Sequence, residues 1–194
     1  MTISEDVASR RPMRADARRN YDKLLEAARS AFAQNGAEAS LEDIARRAEV
    51  GVGTLYRHFP TRQALLESVY LEEVEALCSS AQDLSSAPPW DALTSWLDRF
   101  VDYVSTKRAL GEQLLATMSP DSTVFRNCHD AIFTAGEPLL QRAQQAGVVR
   151  HDVDFIDVIR LVSGITLIKT ATPEELRRLL AMALDGLRFR PADS

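Results

Sequence analysis

The sequence predicts an all-α protein: a three-helix N-terminal domain built on a helix-turn-helix, followed by a larger helical domain. Three observations carry this expectation. Apolar residues recur at helical spacing along most of the 194-residue chain. Capping residues, glycines and prolines sit where those periodic runs begin and end. One stretch, Ser40 to Leu66, holds two short periodic segments joined by a glycine-containing turn.

Residues 1–14 are polar, lack apolar periodicity and include Arg10, Arg11 and Arg14. They read as a flexible basic arm, either a solvated tail or a segment that reaches phosphate or a minor groove. The first domain is expected over residues 15–62 and the second over residues 63–194. From Ala15 to Asn35, Tyr21, Leu24, Leu25, Ala28 and Phe32 form one stripe, and Gly36 closes the helix. Ser40 caps the next helix, with Asp43 reaching back as a variant capping box. Leu41, Ile44, Ala45 and Ala48 give that helix its buried face. The turn Glu49-Val50-Gly51 needs positive φ, a role that falls to Gly51. Val52–Phe59 is a short helix with Leu55 and Phe59 inward; Pro60 stops it and Thr61 caps its successor.

That successor runs to about Cys78 on Leu65, Leu66, Val69, Tyr70, Val74 and Leu77. Ser79–Pro89 is expected as a loop. Trp90–Lys107 and Leu110–Met118 are expected as separate helices, with a break at Ser119–Ser122. Thr123–Gln145 is a long helix with a kink expected at Pro138, closed by Gly147. Asp154–Lys169 is apolar nearly all round and needs cover on several sides. Thr172-Pro173-Glu174-Glu175 supplies an N-cap, an N1 proline and a capping-box glutamate for the last helix.

Composition narrows the function classes. Cys78 and Cys128 lie 50 residues apart, which is neither a disulfide framework nor a metal-ligand spacing. No apolar run approaches the ~20 residues that span a bilayer, and no signal peptide opens the chain. A soluble, cytoplasmic protein without a membrane partner is expected. Cys128-His129-Asp130 are neighbours on one helix, so their side chains point roughly 100° apart and cooperate poorly. His151-Asp152 with Asp154 falls in a turn. HExxH, CxxC, GxSxG and a phosphate-cradling glycine loop are all missing, so no catalytic residue, metal or cofactor is expected.

The outer face of Val52–Phe59 is unusual. Thr54, Tyr56, Arg57 and His58 offer a hydroxyl, a phenol, a guanidinium and an imidazole. Such groups suit phosphate oxygens and base edges in a major groove, whereas an ordinary helical hairpin presents its polar face only to water. Charge is distributed accordingly. The net charge is −5, yet residues 1–62 hold 11 Lys+Arg against 9 Asp+Glu, leaving 12 against 19 beyond them. The basic end can face phosphate while the acidic remainder faces away.

The residues Ile44-Ala45, Val50, Thr54-Leu55-Tyr56, His58-Phe59 and Ala64-Leu65-Leu66 resemble the DNA-binding domain of the tetracycline-repressor (TetR) family of bacterial transcriptional regulators. The resemblance spans about Asn20 to Leu66. It implies a ligand-responsive regulator, most simply a repressor, that binds a palindromic operator in double-stranded DNA as a homodimer and is released by an unknown small-molecule effector. Matched positions imply phosphate positioning by Ser40, Thr54, Tyr56, His58, Thr61 and Arg62; Arg62 stands where the family commonly has Lys. Val52, Gly53 and Arg57 are the candidates for base readout. In the second domain Trp96, Phe100, Tyr103, Leu114, Met118, Phe125 and Phe133 are candidates to line a ligand cavity, with His129 as a polar contact, although each apolar residue taken alone reads first as plain core. Family members pair through their last two helices. That makes Ile159, Val162, Leu176, Leu179, Leu180, Ala183, Leu184 and Leu187 the expected dimer interface, against the alternative of one thick monomeric core. A second function class remains: a small-molecule-binding sensor or enzyme acting without DNA, which would show no sequence-dependent DNA binding.

Overall fold

The computed structural model describes residues 15–117, 123–168, 170 and 172–188, with side chains for all of these except 37, 111–117 and 173. The arginine arm, Met118 and the expected break at 119–122 lie outside the described residues. Eight α-helices occur among them: α1 Ala15–Asn35, α2 Leu41–Arg47, α3 Val52–His58, α4 Arg62–Asp83, α5 Pro89–Thr117, α6 Thr123–Gln145, α7 Phe155–Thr166 and α8 Pro173–Asp185. The remaining order is a 3-10 turn at Gly36–Glu38 and one antiparallel bridge between Val149 and Arg188. The fold is all-α, as the periodicity requires. No helix among the described residues is long and apolar enough to cross a membrane.

Local chemistry sets most helix ends. Gly36 and Gly147 take φ of 62° and 68°, the left-handed geometry that closes a helix at little cost for glycine. Asp154 and Asp157 form one reciprocal capping box, and Thr172 and Glu175 form another with Pro173 in the first turn.

Four expectations need correction. Trp90–Lys107 and the described part of Leu110–Met118, as far as Thr117, belong to the single 29-residue helix α5, which passes through Gly111. One interior glycine costs about 1 kcal/mol, which a helix of this length absorbs. Helix α4 continues to Asp83, so the loop shrinks to residues 84–88. The positive φ of the helix-turn-helix belongs to Glu49, at 56°, while Gly51 sits at −68° as the extended N-cap of α3. Ser40 does cap α2, its hydroxyl accepting from the Asp43 amide at 3.3 Å, but the capping box does not close. The Asp43 carboxylate pairs with Arg46 and Arg47 on the next turn, both stronger partners than a backbone amide.

The chain packs as two compact units: Met1–Val74 with Thr106–His129, and Glu75–Ser105 with Asp130–Ser194. In the first, Leu24, Ala28 and Phe32 of α1 are buried together with Ile44 of α2, Leu55 of α3 and Leu65 and Leu66 of α4. In the second, the core centres on an aromatic cluster. Trp96 stacks on Phe100 at 5.8 Å and lies 5.8 Å from Phe155, and Phe133 meets Phe155 edge to face at 5.2 Å. The Trp96 Nε1–H donates to the Leu77 carbonyl at 3.1 Å, so the one polar atom of this buried ring is satisfied. The Arg142 guanidinium donates to the carbonyls of Leu84, Ser85 and Ala87 and so fixes the short loop.

Candidate nucleic-acid interface

The position of α3 follows from what lies behind it. The α1 stripe is buried as expected, and Tyr21 reaches the Phe59 ring at a centroid distance of 5.1 Å. Leu55 and Phe59 are 0% and 1% exposed. Leu55 and the C-cap Phe59, the latter packed on Tyr21 of α1, fix the rotation of so short a helix about its own axis, which leaves the other face outward. On that face Val52 is 43% and Tyr56 44% exposed, and Gly51, Gly53 and Arg57 are exposed with them. A Cβ on Gly51 or Gly53 meets nothing within 4 Å, so the backbone there is open to close approach. Thr54 and His58 are half-buried; the His58 ring lies edge-on to Tyr21 at 5.9 Å.

Flanking groups come from the neighbouring helix ends. Ser40 is exposed at the start of α2. Thr61 is exposed and caps α4, its hydroxyl accepting from the Ala64 amide at 3.1 Å. Arg62 is the first residue of α4 and half-buried. A backbone hydrogen bond, the Ser40 hydroxyl and the charge of Arg62 hold the Glu42 carboxyl below the usual range. All nine expected DNA-contact residues therefore lie in the first unit, on the α2 cap, α3 and the start of α4. The basic side chains around them differ in availability. Lys23 pairs with Glu49 at 3.2 Å and Arg47 with Asp43 at 2.7 Å, whereas Arg57 makes no ion pair among the described residues. Residue spacing gave no sign of a further ion pair, between Arg29 of α1 and Glu73 of α4, which ties the brace helix to the helix leaving the reader.

The expected ligand-cavity residues are distributed over both units. Trp96, Phe100 and Tyr103 are buried and Phe133 half-buried, all in the aromatic core of the second unit. Phe125 and His129 belong to the first unit; Phe125 packs on Tyr70 at 5.3 Å and His129 is exposed. Leu114 lies on α5 and its side chain, like Met118, is outside the described residues.

The expected dimer residues differ in burial within the single chain. Val162, Leu180, Leu184 and Leu187 are buried inside the single chain. Helices α7 and α8 pack against each other. Ile159, Leu176, Leu179 and Ala183 are half-buried. The apolar side chains left outside are Leu161, Leu167, Ile168 and Met182, with Leu167 at 64% and Met182 at 65%.

Among the described residues no group of His, Cys, Asp and Glu is arranged to hold a metal ion. Burial pushes the Cys128 thiol up, against the opposing pull of Tyr70 and Lys107, and a neutral buried thiol is a poor nucleophile. Asp152 is held in a two-pronged pair by Arg150, at 2.5 Å for each contact.

Comparison with known proteins bears directly on the reader and the body. Residues 24–69 match the family described as bacterial regulatory proteins, tetR family, and residues 88–189 match the C-terminal domain described as transcriptional regulator SbtR-like. A TetR transcriptional regulator from Streptomyces coelicolor is 39% identical, with a TM-score of 0.77, covering 88% of this chain and 99% of that one. A TetR transcription regulatory protein from Mycobacterium vanbaalenii is 32% identical, with a TM-score of 0.70, covering 91% and 99%. The HTH-type transcriptional regulator UidR of Escherichia coli is 26% identical over 183 residues, covering 91% of this chain and 93% of the relative. The two matched families and these relatives meet in one conclusion: the chain belongs to the TetR family of bacterial transcriptional regulators and is a DNA-binding protein.

Proposed function

We propose that this regulator binds a palindromic operator as a homodimer, acts as a repressor, and is released when a small-molecule effector binds. The observation that carries the reading is the outer face of α3, where exposed Val52 and Tyr56, open glycine backbone and an Arg57 with no ion pair among the described residues share a helix that is packed behind. Val52 suits a thymine methyl and Arg57 a bidentate contact to guanine, with Gly53 admitting the groove edge. Ser40, Thr54, Tyr56, His58, Thr61 and Arg62 suit phosphate oxygens and set register without reading sequence.

Homodimerisation is supported by Leu161, Leu167, Ile168 and Met182, an apolar set on and just after the last two helices that the single chain leaves uncovered. Two readers related by a two-fold axis dock when they sit about one DNA turn apart, ~34–36 Å. Helix α4 starts beside the reader, is tied to α1 by Arg29–Glu73, and continues to Asp83. A tilt of α4 would alter that separation, and an effector regulates only if it prefers one separation to the other.

Selection of genomic fragments with purified protein at physiological salt tests the proposal. A two-fold symmetric sequence is expected to be enriched, and the effector then lowers its affinity. Absence of any enriched sequence would overturn the operator reading.

A further inference from the structure

Stability does not explain a glutamate at position 49. Glu49 takes a φ of 56° in the turn between α2 and α3, the one non-glycine residue with positive φ among the described residues. The turn itself is closed by the backbone, the Glu49 amide donating to the Arg46 carbonyl at 3.1 Å and the Val50 amide to that of Ala45 at 3.0 Å. Such a closure asks only for a residue that tolerates left-handed geometry, which is glycine's usual place. A side chain there disfavours folding by about a factor of five or more. The side chain's partner is Lys23, at 3.2 Å, with the two side chains 80% and 52% exposed. A pair that exposed returns a factor of about five at most.

Other ion pairs of the first unit have a structural account. Arg19–Asp16, Arg29–Glu26, Arg46–Asp43 and Arg47–Asp43 lie three or four residues apart along one helix and support it. Arg29 with Glu73 ties α1 to α4. Lys23–Glu49 instead joins an exposed cation of α1 to a turn 26 residues away. Its effect is on charge. A flexible exposed ammonium attracts any phosphate, whatever the sequence. Glu49 cancels that ammonium three residues before Val52, so chain length alone keeps it within about 11 Å of the outer face of α3. That is close to the ~8 Å over which a charge is felt at physiological salt. DNA seated in register makes contacts that outweigh one carboxylate, whereas DNA lying loosely on the domain has little else to hold it.

We propose that Glu49 is a specificity-determining residue: by neutralising Lys23 beside the reading helix it withholds sequence-independent phosphate affinity and widens the gap between operator and other DNA. This rests on the reading of α3 as the face that meets DNA.

The test titrates the full chain onto a random-sequence duplex, followed by fluorescence anisotropy over a range of salt concentrations. Glu49→Gln should bind the duplex tighter than the wild type. Its log–log salt slope should be steeper by about 0.9 for each protomer on the duplex, the mark of one more neutralised phosphate. Adding Lys23→Met to Glu49→Gln should return both to the wild-type values. Glu49→Gly also removes the backbone strain and should steepen the slope in the same way, so a folding defect particular to one variant does not decide the result. Glu137→Gln makes the same change in charge at an exposed position of α6 in the second unit and should alter neither value. An unchanged slope in both Glu49 variants, weaker binding to the random duplex, steepening that persists without Lys23, or equal steepening by Glu137→Gln would each overturn the proposal. Where fragment selection yields an operator, its affinity advantage over the random duplex should narrow in Glu49→Gln. The random duplex requires no operator. A failed selection therefore sinks the operator reading and leaves the slope test standing, and an unchanged slope sinks the role of Glu49 and leaves operator binding standing.

Discussion

Replacing Gly136 by Ala would put a carbon 2.4 Å from Cζ of Phe155 and 2.5 and 2.8 Å from Cη2 and Cζ3 of Trp96. Comfortable carbon–carbon contacts lie near 3.5–4.0 Å, so at least one ring must move by about 1 Å. Neither ring has a free direction. Trp96 is fully buried, stacked on Phe100 and tied to the Leu77 carbonyl at 3.1 Å, and Phe155 abuts Phe133. Overpacking of this kind costs about 1–3 kcal/mol, and losing the indole hydrogen bond adds about 1 kcal/mol. Removing a helical glycine returns about 1 kcal/mol. The expected net destabilisation is about 1–3 kcal/mol. Urea unfolding followed by tryptophan emission reads it directly, because Trp90 and Trp96 are the protein's two tryptophans and both lie in the second unit. The midpoint should fall with the slope unchanged. A midpoint equal to or above that of the wild type would refute the claim that these rings are packed without slack against Gly136.

The remaining predictions concern the reader and the dimer. Gly53→Ala makes the same chemical change in open space, so it should leave stability equal or raise it by up to about 1 kcal/mol while weakening operator binding; gel shift beside thermal melting separates the two. Arg57→Ala should relax specificity at one base pair per half-site by about 1–3 kcal/mol, seen by selection on randomised sites, whereas Arg62→Ala should weaken all DNA alike and reduce the salt slope by about 1. Uniform weakening by Arg57→Ala would defeat the base-readout assignment. Glu49→Gly relieves a φ of 56°, worth about 1 kcal/mol, and loses an exposed pair with Lys23 worth less, so melting of the variant should occur at or slightly above the wild-type temperature. Met182→Glu with Leu161→Glu should leave the protomer folded and shift light-scattering mass toward a monomer; a dimer of wild-type strength would place the interface elsewhere.

What was legible in the sequence is what local chemistry decides. The α1 stripe, the glycine closures at Gly36 and Gly147 and the capping box at Thr172 depend on residues a few positions apart, and they stand as read. The turn of the reader shows where locality misleads. Gly51 has the freedom for positive φ, but the φ falls on Glu49, which the geometry after α2 requires to turn and which Lys23, 26 residues away, holds in place. The dimer residues show a second limit. Periodicity reports that a face of α7 or α8 is apolar, not whether its own chain or another covers it. Val162, Leu180, Leu184 and Leu187 are buried within the single chain, whereas the less regular Leu161, Leu167, Ile168 and Met182 are exposed.

The strongest argument for the reader is where the chain departs from what a solvated helix prefers. Exposed Gly53 lies inside α3, where alanine would fit without contact and favour the helix by about 1 kcal/mol. Val52 and Tyr56 hold apolar surface in water, and Arg57 carries a charge with no ion pair among the described residues although Lys23, Arg46 and Arg47 nearby are all paired. Each departure forgoes stability that a simple substitution would recover, and all four fall on the outer face. The inner face, with Leu55, Phe59 and Tyr21, makes no such concession. A surface with unmet interactions on one side only is shaped for something that side meets. On the proposed reading, duplex DNA would answer each of the four together: a methyl for Val52, phosphate for Tyr56, a guanine edge for Arg57 and a close backbone approach at Gly53. Water, or a neighbouring helix, would answer one or two and leave the others unexplained.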